Sequence, residues 1–193
     1  HTGVDAKFVA TGQTGIMISG AGYAIDPRNL RWQLDTRADP ARRLTFAVSL
    51  VRQKVEASIT TLTDCLPDGP ARRAALSSAA KALEQLDRAP LSDMEQLRGI
   101  EGVAASAYFA AWRGFEISIR ATARRPVPDG WRRFDIRSSL ANGRKAKNRN
   151  ASDPINAMLN YAYGVLQAQL QIRTLSDGFD PTVGIMHHAY RDG

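Results

Sequence analysis

Apolar residues recur at three- and four-residue steps along most of the chain, and the spacing predicts four amphipathic helices. Leu44, Val48, Val51, Val55, Ile59 and Leu62 mark the first, which Asp39 opens with Pro40 at the first helical position and "LPDGP" at residues 66–70 closes. Leu76, Ala79, Leu83 and Leu86 mark a second, stopping before Pro90. Within "EQLRGIEGVAASAYFAAW", residues 95–112, the inward positions are Leu97, Ile100, Ala104, Tyr108 and Ala111, and Ser92 with Glu95 makes a capping box ahead of them. The fourth helix starts at Ser152 or Asp153 with Pro154 just inside, and Gly178 closes it. Its core stripe is Ile155, Met158, Leu159, Ala162, Leu166 and Leu170, beside a polar row of Asn156, Asn160, Tyr163 and Gln167. Asp180 and Pro181 have the form of one further helical turn.

Two stretches lack this period. Residues 1–35 hold short apolar runs, "KFVA" and "GIMIS", separated by glycines, and these read as small strands too few to make a sheet alone. Residues 121–151, rich in Arg, Pro, Gly and Asn, read as a long connection of the kind that is often functional.

One residue breaks the pattern of the third helix. Glu101 lies four after Leu97 and three before Ala104, so its carboxylate turns toward the side those residues bury. A carboxylate facing a core costs several kcal/mol unless a cation meets it. Arg98, three residues earlier, is one such partner and a metal ion is another. Gly99 and Gly102 flank the glutamate, each at a cost of about 1 kcal/mol against alanine, which suggests that something approaches closely. Glu101, His187 and His188 are the sharpest metal-ligand candidates, and carboxylate oxygen with neutral imidazole suits Mg2+ or Mn2+. Adjacent histidines point in different directions, so at most one binds the same ion.

Charge is as localised as hydrophobicity. The 193 residues carry a formal net charge of +7. Arg124, Arg125, Arg132, Arg133, Arg137, Arg144, Lys145, Lys147 and Arg149, against Asp129 and Asp135 alone, bring +7 to one segment and leave the remainder neutral. Trp131 and Phe134 are interleaved with these cations and offer stacking surfaces beside phosphate ligands, the pattern of a nucleic-acid contact. No window approaches the roughly 20 apolar residues of a membrane span. The single cysteine, Cys65, reads as a structural thiol in a reducing compartment. The chain lacks a P-loop, a dinucleotide glycine fingerprint, a serine nucleophile elbow and a paired-cysteine zinc pattern, which removes the commoner enzyme classes. It begins at His1 and stops after "HHAYRDG", so we expect a fragment.

"LRGIEGVAASAYFAAW", "DPINAMLNYAYGVLQAQL" and "GFDPTVGIMHH", in this order and at these separations, resemble the helical domain of the CRISPR-associated protein one family. The resemblance implies a mainly α fold: an α-helical catalytic domain over residues 36–193, preceded in residues 1–35 by the last short strands and linker of an N-terminal β-domain that makes the family's homodimer. It implies a metal-dependent DNA endonuclease and integrase of the prokaryotic cytoplasm. Such an enzyme works on double-stranded DNA with a small ferredoxin-like partner subunit to insert spacer DNA into a repeat array. Glu101 matches the family's glutamate ligand for Mg2+ or Mn2+, and His187, in "GIMH", matches its histidine. The third ligand, an aspartate, is expected beyond Gly193, and Asp192 comes too soon. Arg98 then becomes a DNA contact, with Asn160 and Tyr163 near the site. A related transposon integrase, and a non-catalytic DNA-binding helical module in which Glu101 pairs with Arg98, are the competing readings.

Overall fold

The computed structural model describes residues 25–88, 90–116, 118–120, 122, 124–135, 140–141, 144–145 and 154–186. Among these the fold is mainly helical: α1 Pro27–Ala38, α2 Pro40–Cys65, α3 Pro70–Arg88, α4 Met94–Ala111 and α5 Pro154–Ser176. Two-residue strands β1, Leu140–Ala141, and β2, Arg144–Lys145, pair antiparallel. The strands expected in "KFVA" and "GIMIS" lie outside the described residues. The chain divides into two compact units, Leu44–Tyr161 and His1–Arg43 with Ala162–Gly193.

In the unit of residues 44–161, α2 buries Ala47, Val51, Val55 and Leu62, α3 buries Ala75, Ala79, Ala82 and Leu86, and α4 buries Leu97 and Ala104. Leu62, Leu66 and Ala75 form a core against which Leu76, Ala107, Tyr108, Ala111 and Trp112 pack. Both α2 and α3 run where the apolar spacing put them. Cys65, expected as a structural thiol, is exposed at the C-terminal end of α2.

The start of α4 corrects one detail. Asp93 rather than Ser92 is the cap: its Oδ1 accepts from Glu95 N at 2.9 Å and Gln96 N at 2.8 Å. Gln96 Oε1 in turn accepts from Ser92 N at 2.9 Å, so the reciprocal logic of a capping box survives with different members. The carboxylate is the stronger acceptor for the orphan N–H groups of a first turn.

Beyond α4 the chain is less irregular than residues 121–151 suggested. Gly114, at φ +78°, donates to Phe134 O at 2.8 Å, and Phe134 N returns a bond to Phe115 O at 3.2 Å. That pairing draws Phe134 into the core at 4% exposure. The Asn142-Gly143 dipeptide between β1 and β2 is the sequence signal that would have found this hairpin.

In the second unit, α1 occupies residues that the sequence assigned to the linker. Its periodicity is hidden because its buried residues are Gln33 and Thr36, while Trp32 and Leu34 are exposed. Gln33 grips the chain after α5 by its backbone. Its Nε2 donates to Asp180 O at 2.8 Å and its Oε1 accepts from Asp180 N at 2.9 Å. Asn29 Nδ2 donates to Asp177 O at 3.0 Å, Asp26 N donates to Gly178 O at 2.9 Å, and the Trp32 ring meets Phe179 edge-on. Gly178, as expected, closes α5: at φ +81° it sits in a Schellman turn, with Gly178 N bonded to Leu175 O and Phe179 N to Thr174 O. A Cβ there would come within 3.1 Å of Asn29 Nδ2 and 3.2 Å of Asp26 Cβ. The further helical turn at Asp180 is instead a tight turn, in which Asp180 Oδ1 accepts from Thr182 N and Thr182 Oγ1.

The stripe read on α5 is buried at Ile155, but Met158, Leu166 and Leu170 are about half exposed. Among the described residues no surface covers the middle of the helix, and an apolar stripe is buried only where a second element meets it.

The cap of α4 and the grip of Gln33 can each be tested by substitution. The N–H of Gln96, chiefly, holds the Asp93 carboxyl below the ordinary carboxylate range. Its stabilising effect is therefore complete above the unfolded value near pH 3.9 and is lost as pH falls through the lower folded value. Asp93→Ala should melt earlier than the parent at pH 7, and the gap in Tm should close below about pH 4. Gln33→Ala strands two partly buried backbone groups of Asp180 and should cost about 1–2 kcal/mol in denaturant unfolding, with faster amide exchange at residues 180–183.

Candidate functional site

The site builds outward from α4. Leu97 and Ala104 are buried, and the helical spacing carries Glu101 to the edge of that face, with its side chain 24% exposed. Glu101 thus faces neither fully inward nor fully outward. Its Oε1 accepts from Lys54 Nζ at 2.6 Å. Lys54 stands on α2 between Val51 and Val55, both buried, so the helix holds its stem beside α4 while the side chain remains 59% exposed.

Arg98, the partner proposed from spacing, is exposed on α4 and is not what meets Glu101. An arginine three residues before a glutamate has the less favourable orientation on a helix, and a lysine from the neighbouring helix reaches the carboxylate directly. Sequence reasoning missed Lys54 because a contact between helices 47 positions apart leaves no local signature.

Among the described residues, the glycines beside Glu101 have no packing reason. A Cβ at Gly99 or Gly102 would meet nothing within 4 Å, so both leave the surface of α4 open. Gly99 and Val103 line one wall of a groove of about 620 Å3, whose other wall carries Lys81 and Arg88 of α3; Glu101 is not part of it.

His187 and His188 lie outside the described residues. The chain that leads to them is held at its described end: besides the Gln33 grip, Arg43 Nη2 donates to Met186 O at 3.4 Å and Ile185 is buried. Among the described residues no three His, Cys, Asp or Glu side chains converge as ion ligands. On α5, Asn160 is half-buried and Tyr163 is 54% exposed.

The basic segment separates into kinds. Arg124 and Arg125 are exposed. Arg133 donates from Nε and Nη2 to Glu116 Oε1 at 3.1 and 2.6 Å, and Arg132 Nη1 donates to Ile119 O at 3.4 Å, so these two also brace the local fold. Arg144 and Lys145 form β2, while Arg137, Lys147 and Arg149 lie outside the described residues. Trp131, 45% exposed, presents a ring for stacking. Phe134 does not, because its pairing with Phe115 buries it.

No described helix is long and apolar enough to cross a membrane. The model of the family "CRISPR associated protein Cas1" matches residues 11–192. A "CRISPR-associated endonuclease Cas1 1" of Methanospirillum hungatei is 26% identical over 164 residues, which cover 83% of this chain and 42% of that protein. One of the same name from Thermodesulfovibrio yellowstonii is 28% identical over 151 residues, 75% of this chain and 40% of that protein. A "CRISPR-associated endonuclease Cas1 2" of Rhodospirillum rubrum is 36% identical over 99 residues, 51% and 24% of the two chains. This chain thus spans about two-fifths of the length of the first two relatives. No solved structure gives a significant match. With the family model running from residue 11 to residue 192 across the helices and motifs described, the chain belongs to the Cas1 family of CRISPR-associated proteins.

Proposed function

We propose that this chain carries the helical catalytic part of a CRISPR adaptation enzyme, a metal-dependent DNA endonuclease and strand transferase that inserts spacer DNA into a repeat array. The observation that carries the reading is Glu101. It is a half-buried carboxylate already paired with a cation, flanked by glycines that leave the helix surface open, in a chain whose family match spans both ligand motifs. Its relatives are named endonucleases.

The residues fit a divalent ion in their chemistry. Glu101 offers carboxylate oxygen, the ammonium of Lys54 shows that positive charge is accommodated beside it, and His187 adds an imidazole to the donor set. A further aspartate is expected from the longer protein. When bound, a Mg2+ or Mn2+ ion supplies charge that stabilises a phosphate under attack and activates the attacking oxygen. Glu101 and His187 hold and orient it. The cations of the basic segment, Arg144 and Lys145 among them, grip DNA phosphates without regard to sequence, and the exposed Trp131 ring stacks on a base or sugar. Arg98, exposed on α4 one turn before Glu101, adds a phosphate contact in this reading. No covalent protein intermediate is needed: a DNA 3′-hydroxyl or a water attacks phosphorus, and the displaced DNA oxygen leaves. A ferredoxin-like partner subunit and a homodimer of the complete protein belong to this reading as well.

Glu101→Ala in the complete protein should lower cleavage and strand transfer by at least about 100-fold with DNA affinity nearly intact, and chelation of the ion should do the same. Stability should change by no more than about 1 kcal/mol, since an ion pair with so exposed a lysine contributes little. Normal cleavage by this variant, with an earlier melt, would mean that Glu101 is not a ligand and that its carboxylate only braces Lys54.

Arg144→Ala with Lys145→Ala and Lys147→Ala should weaken binding of unrelated DNA sequences by similar factors. The slope of log K against log salt should become shallower by about 0.9 for each phosphate that the variant no longer neutralises. An unchanged slope would remove these residues from the interface.

A further inference from the structure

Lys54 belongs to none of the motifs that mark the family match, yet it is the residue that touches Glu101. It stands on α2 between the buried residues Val51 and Val55, and its side chain is largely in solvent. A pair this exposed adds little to stability, so stabilising the fold is a weak reason for a lysine here. Lysine is also a compact charge on a flexible stem, suited to moving between partners, where an arginine would lock onto one carboxylate through two bonds. The surface beside the pair is open, because nothing lies within 4 Å of a Cβ built at Gly102.

We propose that Lys54 is a second functional cation of the Glu101 site, exchanging between two anions: the Glu101 carboxylate when no divalent ion is bound, and a non-bridging oxygen of a DNA phosphate when Glu101 serves the ion. The proposal rests on Glu101 being a ligand. In the first position Lys54 keeps the carboxylate aimed, and competes with the ion for it. In the second it neutralises charge that grows on the phosphate oxygens as the nucleophile adds, an interaction stronger in the transition state than before it.

The test uses Lys54→Met and Lys54→Arg in the complete protein, with Mn2+ affinity measured by titration calorimetry without DNA and cleavage measured at saturating Mn2+. Lys54→Met should bind Mn2+ about two- to fivefold more tightly, because the competing ammonium is gone, and should cleave at least about tenfold more slowly. Lys54→Arg should recover part of the cleavage. A purely structural lysine gives a different pair of results, with Mn2+ affinity and cleavage falling together. That outcome overturns the proposal, as does either quantity remaining at the parent value. Normal cleavage by Glu101→Ala in the same assay would mean instead that the ligand assignment beneath it has failed.

Discussion

Small side chains set the spacing on which the unit of residues 44–161 depends. Of the four residues that α3 buries, three are alanines, Ala75, Ala79 and Ala82, and α4 answers with Ala104, Ala107 and Ala111. Alanine gives up little side-chain entropy on burial and lets helix axes come near the short end of their usual 8–10 Å separation. Larger residues then fill the remaining space from one side, Leu62 and Leu66 from α2 and its end, Tyr108 and Trp112 from α4. From α2 a lysine stem is long enough to reach a carboxylate on α4.

Burial along α4 is graded, and the grading governs what its acidic residue can do. Leu97 is fully buried, Glu101 is partly covered and Val103 is 66% exposed, all within two turns. A carboxylate sunk as deep as Leu97 would be protonated or locked in a fixed pair, and one as exposed as Val103 would be surrounded by water that weakens any bond it makes to an ion. The edge position leaves Glu101 partly covered and directed by its contact with Lys54. Gly99 and Gly102 lower the propensity of this helix without relieving any contact within it, which separates what suits the surface of α4 from what suits its stability.

Legibility in the sequence followed the kind of interaction. Helices α2, α3, α4 and α5 could be read because an apolar stripe or an Asp-Pro start writes itself locally, as at Asp39-Pro40, where Asp39 Oδ1 accepts from Ala41 N and Arg42 N. Helix α1 has the same kind of start at Asp26-Pro27, but no apolar stripe follows it, because what it buries is polar and its partner is 147 residues away. The same holds at the site: Glu101 stood out as a misfit on its own helix, but Lys54 is visible only once α2 and α4 are side by side. Phe134 shows the reverse error. In sequence it stands among arginines like a stacking platform, and only the backbone pairing with Phe115 reveals that it faces the core.

The grip of Gln33 on Asp180 also bears on the order in which the chain folds. Helices α3 and α4 are neighbours in sequence and meet by closing a short loop, whereas α1 meets the turn after α5 only by closing one of 147 residues. Each doubling of loop length adds about 0.6 kcal/mol to the entropy of closure, so the longer closure is dearer by about 3 kcal/mol and gains most from following the local one. Loop closure therefore favours an early meeting of α3 and α4 and a late seating of the turn after α5, which is held by a handful of polar bonds. A contact made last from few bonds is also among the first to open, so the turn at Asp180 is where local opening of this unit would begin.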